Sequence, residues 1–290
     1  MENRHLDTLK IYFCKLYEPY PDVQSISFIH TVNRFSPLID GFDLLVFVVS
    51  KTSKRPHFTT HYIKEGVHIQ ERWINTEGIQ DWILTGENRN IIQWILEGEV
   101  IFERDGYLTK LRQRLLDFPE DLREKKLFRE FSLFLRTYLQ AKEYAKAGHF
   151  LDAYSNLVEA LQHWARIAVI ENGYHPEVMV WKQVHDMNPD VYKLYEELIT
   201  SNETLEQRVQ LVLLACEFSV MSKMRQWCKL LLNIMATKRK PWTVAELKNH
   251  DALADLHVEV ALVLKQLVKK ALIKEVSGTS ERKDELQYML

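Results

Sequence analysis

The stretch IDGFDLLVFVVSK, Ile39 to Lys51, decides the fold. A short polar approach ends at Asp43, and Leu44, Leu45, Val46, Phe47, Val48 and Val49 then run without a polar break. An apolar run of this length between turn-forming residues reads as a strand covered on both faces. Asp40 and Asp43 stand at its mouth. Residues at i and i+2 project to one side of a strand, so Asp43 shares its side with Gly41. In a regular strand Asp40 and Asp43 face opposite ways, and only a bulge or a bend at Gly41 brings Asp40 round to the same site.

Outward from this strand, GVHIQERWI, Gly66 to Ile74, reads as a later strand. Alternation places His68 and Gln70 on one of its faces and Ile69 and Glu71 on the other. Between Gly78 and Glu99, the apolar sets Ile79, Trp82, Ile83 and Ile91, Ile92, Ile95, Leu96 predict two short helices around a Gly-Glu-Asn loop. Trp73, Trp82 and Trp94 sit within apolar periodicities and read as packing residues. A short strand from Val100 to Phe102 then meets a turn at Asp105-Gly106, where glycine accepts positive φ. Helical spacing resumes from Leu108.

From Leu122 to Met224 the pattern is helical throughout. Phe131, Phe134, Leu135, Tyr138 and Leu139 mark one long helix broken at Gly148, and Leu151 to Ala168 mark a second, stopped at Asn172-Gly173. VYKLYEELI and LEQRVQLVLLACEFSVMSKM continue the bundle. His163 reads as a residue at a helix surface.

The last 70 residues, 221–290, carry 13 Lys and Arg against 8 Asp and Glu, within a chain whose overall charge is −2. A helix from Gln226 to Ala236 precedes Lys238-Arg239-Lys240-Pro241, and Thr243 with Glu246 forms a capping box for a second helix. A third helix is expected from about Asp255 to Ala271. Leu272 to Val276 then reads as a strand, Ser277-Gly278 as its turn, and Leu286 to Leu290 as the return. Three helices and a hairpin in this order resemble a winged helix-turn-helix domain. Lys238, Arg239, Lys240, Arg282 and Lys283 are the side chains placed to touch nucleic-acid phosphates. The third helix is crowded with Val, Leu and Ala and offers little that could read base edges. Winged helices also serve as protein-interaction or dimer modules, so a protein partner or a homodimer is an open reading beside DNA.

The first strand and its acids resemble the nucleotidyltransferase superfamily of DNA polymerase β and the aminoglycoside nucleotidyltransferases. That family's signature is a Gly-Ser pair, a loop, and Asp-x-Asp leading into an apolar strand. On this pattern Asp43 takes the place of the second aspartate, Gly41 that of the first, and the Gly-Ser pair falls near Ile29 and His30. The resemblance implies a nucleotide site around His30, Thr31 and Gly41. It also implies Mg²⁺ held by Asp43 with Asp40, and a third site position at His68 or Glu71. Paired carboxylates on one side of a strand clamp Mg²⁺ on a triphosphate, neutralising the attacking and leaving oxygens in phosphoryl transfer. Here one member of the pair is glycine, and the Gly-Ser turn is missing. The bundle is similar to helical substrate-binding bundles found behind such domains.

The expected architecture is therefore α+β. It has a nucleotidyltransferase-like mixed sheet flanked by helices (1–120), an all-α bundle (121–224) and a winged-helix-like domain (225–290). Three function classes follow: a degenerate member that acts by binding a nucleotide or partner, an active Mg²⁺-dependent transferase using Asp43 with Asp40 or a later carboxylate, and a DNA-binding regulator. The missing carboxylate favours the first. That class needs no cofactor, and Mg²⁺ belongs only to the second. Composition is ordinary for a soluble protein, with 46% hydrophobic and 27% charged residues. No apolar run reaches the roughly 18 residues of a membrane span, the N-terminus lacks a signal-peptide core, and Cys14, Cys216 and Cys228 show no metal spacing. A bacterial, cytoplasmic protein fits these features.

Overall fold

The computed structural model describes residues 3–30, 38–52, 57–280 and 283–290. The chain divides into two compact units, Met1–Pro119 and Glu120–Leu290. Unit 1 is built on a five-stranded mixed sheet of β1 (Val23–His30), β2 (Leu44–Ser50), β3 (His57–Lys64), β4 (Val67–Asn75) and β5 (Glu99–Glu103). The strand order is β3-β4-β2-β1-β5. Among the described strands only β2 and β4 pair in parallel, with Leu45 opposite Gln70 and Phe47 opposite Arg72.

All seven residues of β2 are buried, as its unbroken apolar run predicts. Its two faces are covered differently. Leu44, Val46 and Val48 cluster with Leu6, Leu9 and Phe13 of α1 (Asn3–Tyr17). On the other face Phe47 meets Trp94, ring centroids 5.6 Å apart. The helices α2 (Thr76–Thr85), α3 (Ile91–Glu97) and α4 (Tyr107–Asp117) complete the unit. Asn75 caps α2 by accepting from the Gly78 N–H at 2.7 Å. The Asp105-Gly106 turn is present, with φ of 54° and 64°.

Unit 2 begins with the long α5 (Glu120–Lys146) and α6 (Phe150–Glu171), which pack side by side, followed by α7 (Val180–Met187), α8 (Pro189–Thr200) and α9 (Leu205–Ser222). The short α10 (Met224–Trp227) and α11 (Lys229–Met235) lead to β6 (Trp242–Thr243), α12 (Val244–Lys248), α13 (Val260–Lys269), β7 (Lys274–Ser280) and β8 (Lys283–Met289). The last three strands form a sheet in the order β6-β8-β7, giving the helix-turn-helix its wing. One apolar cluster runs from Phe128 through Trp227 and Trp242 to Leu264 and Tyr288.

Four local expectations are corrected. The helix expected over 226–236 is two short pieces that meet at Cys228. The third helix starts at Val260, because Asp255 lies in a 3-10 turn (Ala254–Leu256) and His257 takes a left-handed φ of 52°. Ser277 and Gly278 stand inside β7, paired with Leu286 and Glu285, so they are not the hairpin turn. His163 is 6% exposed, not a surface residue. Among the described residues no helix is long and apolar enough to cross a membrane.

Candidate functional site

The mouth of β2 is shaped by a bend. Asp40 and Gly41 both take positive φ, 52° and 81°. Aspartate tolerates this region better than most residues, and glycine enters it freely. The bend carries Asp40 to the face of β4 that Asp43 also meets. Asp40 Oδ2 accepts from Arg72 Nη2 at 2.7 Å and from Gln70 Nε2 at 3.1 Å. Asp43 Oδ2 accepts from the His68 N–H at 2.9 Å and lies 3.0 Å from His68 Nδ1. His68, Gln70 and Arg72 alternate along β4, so both carboxylates address one side of one strand.

Further side chains tie this patch together. Arg72 Nε donates to Gln70 Oε1 at 3.1 Å, and Gln70 Nε2 lies 3.3 Å from His61 Nε2. Phe42 stacks on His61 with centroids 4.6 Å apart, and the Arg72 guanidinium sits 5.1 Å from the Trp94 ring. His30 is exposed at the end of β1, opposite Leu44. Thr31 lies outside the described residues.

Glu71 does not join this site. Its carboxylate projects to the opposite face, where it accepts from Tyr17 Oη at 2.6 Å, Tyr62 Oη at 2.5 Å and Trp73 Nε1 at 2.6 Å. Burial, then the hydrogen bond to Glu71, pushes both tyrosines well above the usual phenol range. Glu71 is a structural acceptor for three aromatic donors.

The donor set does not fit Mg²⁺. That ion takes oxygen ligands in near-octahedral geometry at about 2.0–2.1 Å. Asp40 is already held by a guanidinium and an amide, Asp43 by the N–H and ring of His68, and position 41 has no side chain. Among the described residues no three His, Cys, Asp or Glu gather in a metal-holding group.

The basic positions of the winged helix are also partly engaged. Lys238 pairs with Glu246 at 2.8 Å and lies 3.9 Å from the Trp242 ring centroid. Arg239 and Lys240 are exposed. Lys283 stands in β8, and Arg282 lies outside the described residues. On α13 the exposed positions are Ala261, Lys265, Lys269 and, past its end, Lys270.

A second polar group, missed by pattern reading, lies between α5 and α6. Glu130 Oε2 lies 2.7 Å from His163 Nδ1, with Arg129 and Arg166 at 3.6 and 3.7 Å from its carboxylate. Burial pushes the Glu130 carboxyl up, but the His163 hydrogen bond and the surrounding cations outweigh it and hold it below its ordinary value. Lys126, one turn before Glu130, is 8% exposed. Burial lowers its ammonium to about 8, against a partial rescue by Glu130. The Lys126–Glu130 spacing of four and the His163–Arg166 spacing of three were the available signals. On β4, the alternation that paired His68 with Gln70 extends to Arg72.

A helix-turn-helix module behind a nucleotidyltransferase-like sheet and a helical bundle defines the class. The family model described as Nucleotidyltransferase-like matches residues 7–123, the YgxA-like substrate binding domain matches 124–223, and a Helix-turn-helix domain matches 229–287. The chain is 39% identical over 254 residues to YgxA of Bacillus subtilis (strain 168), covering 88% of this chain and 86% of that protein. It also matches the crystal structure of a nucleotidyltransferase-like protein from Exiguobacterium sibiricum 255-15. That match has a TM-score of 0.87, 31% identity, and coverage of 98% of this chain and 99% of the other. The chain belongs to the YgxA-like family of nucleotidyltransferase-like proteins.

Proposed function

We propose that the protein acts as a catalytically degenerate nucleotidyltransferase-like binder, taking a nucleotide or partner at the mouth of β2 without a metal clamp. The observation that carries this reading is the Asp40–Arg72 pair at 2.7 Å. A guanidinium is a permanent cation with directed donors, so it supplies beside Asp40 the positive charge that Mg²⁺ would otherwise bring. It cannot supply the open coordination positions on which two-oxygen phosphoryl transfer depends.

Calorimetric titration of ATP, with and without Mg²⁺, on the wild type, Asp43→Ala and Arg72→Ala tests the reading. Binding that ignores Mg²⁺ and weakens in Arg72→Ala is the expected result. Mg²⁺-dependent binding lost in Asp43→Ala would overturn it and promote the active transferase.

For the helix-turn-helix domain, the exposed Arg239, Lys240, Lys265 and Lys269 favour phosphate contacts without base reading. Retention on DNA should then be independent of sequence and fall steeply between about 50 and 200 mM salt. Sequence-selective retention that persists at the higher salt would contradict this.

A further inference from the structure

Among the described residues, the group between α5 and α6 sets several cations around one buried carboxylate. Glu130 is its deeply buried carboxylate among the described residues, and Glu159, 3.9 Å from His163 Nε2, is mostly exposed. Against these stand Arg129, Arg166 and Lys126, with His163 between. His163 at 2.7 Å already gives the buried Glu130 a close partner. Arg166 touches the carboxylate only at 3.7 Å, beyond hydrogen-bond reach.

Lys126 makes no hydrogen bond or ion pair with any described residue, although it is 8% exposed. Its ammonium is not among the sealed atoms that lack a partner, so the remaining exposure leaves it a path to solvent. Glu130, one turn on, offsets part of its charge but is shared with His163, Arg129 and Arg166. An ammonium that keeps a path to solvent can meet an anion that enters by it.

We propose that Lys126 and Arg166, set around the Glu130–His163 pair on α5 and α6, form a subsite for a phosphate-type oxyanion. The subsite lies wholly within the helical part of the chain and goes beyond the reading of the β2 mouth, on which it does not rest. Both cations can donate charge-assisted hydrogen bonds to a tetrahedral oxyanion. Glu130 keeps His163 oriented and limits the excess charge when no anion is present.

The test uses the full chain and inorganic phosphate, with pyrophosphate as a second probe. Wild type, Lys126→Met, Arg166→Gln and the surface control Lys193→Gln, an exposed position of α8, are titrated by calorimetry and melted with and without phosphate. Saturable binding that weakens roughly tenfold or more in Lys126→Met and Arg166→Gln, and stays unchanged in Lys193→Gln, supports the subsite. Lys126→Met should also melt at or above the wild-type temperature without phosphate, which separates lost binding from lost folding. If Lys126→Met instead fails to fold, Arg166→Gln alone decides the matter by the same tenfold criterion. Phosphate binding that is absent in the wild type, or equal in wild type and both cluster variants, overturns the proposal.

Discussion

Glu71 shows how far a single side chain can depart from the role its position suggests. It lies on the strand where the superfamily resemblance places a third carboxylate, yet three aromatic donors converge on it from the opposite face. Alternation along β4 makes the choice of face legible, but the donors come from α1, β3 and β4 itself, and no local pattern announces their convergence. Glu71→Ala leaves these donors without an acceptor and should cost roughly 3 kcal/mol, on the scale of buried polar groups that lose their partner. Glu71→Gln keeps an acceptor oxygen and should cost clearly less. Urea unfolding of the two variants checks the order, and equal losses would refute the acceptor role. Lys126 makes a pH prediction. Its folded pKa of about 8 lies below the unfolded 10.5, so between those values the unfolded chain binds more protons. Its contribution to stability must then rise as pH climbs from about 8 to 10.5, the penalty being fully present below that window. Burial shifts of this size correspond to about 3 kcal/mol at most. Melting wild type and Lys126→Met across the window should show the gap between them closing, and a pH-independent gap would refute the assignment.

Elements with strong periodicity or a capping signature are legible in the chain, and those set by distant packing are not. The unbroken run of β2 and the stop at Gly148 need only local chemistry. β1 is harder to see, because VQSISFIH buries Gln24, Ser25 and Ser27 in positions where a pattern reader expects apolar residues. β3 is mostly exposed and so carries no apolar signal. The bend that brings Asp40 beside Asp43 depends on two successive positive-φ residues, one of them not glycine. Alternation alone therefore puts the two acids on opposite sides. The capping box of α12 was readable in full: the Thr243 hydroxyl accepts from the Glu246 N–H at 3.1 Å, and Glu246 accepts from the Thr243 N–H at 2.8 Å. Thr243→Ala should destabilise unit 2 by about 1 kcal/mol. Thr243→Ser should restore most of it. Thermal melts of the pair test the cap, and a serine variant as unstable as alanine would show that the methyl group, not the hydroxyl, matters.

For the molecule as a whole, the informative feature is the core of unit 2. The sequence marks a bundle and a winged helix by separate signals, an apolar helical period and then a basic segment with a capping box. Neither signal says whether the two share an interior. They do: Phe131 and Phe134 of α5, Trp227 of α10 and Leu264 of α13 belong to one apolar cluster, and Phe131 meets Trp227 with ring centroids 5.7 Å apart. A polar contact joins the same parts, with the Glu259 N–H donating to Ser132 Oγ at 3.2 Å. A shared, close-packed interior transmits a cavity to every element that lines it. Leu264→Ala should therefore cost roughly 2–5 kcal/mol, and the loss should not stay within the wing. Native-state hydrogen exchange reads this directly, since amides that open in one cooperative unit lose protection together. Faster exchange in the Phe131 to Tyr138 stretch of α5, matching that in α13, is the expected outcome. Faster exchange confined to residues 229–290, with α5 at wild-type protection, would mean that the winged helix opens independently and that a ligand bound there has no route to the bundle through packing.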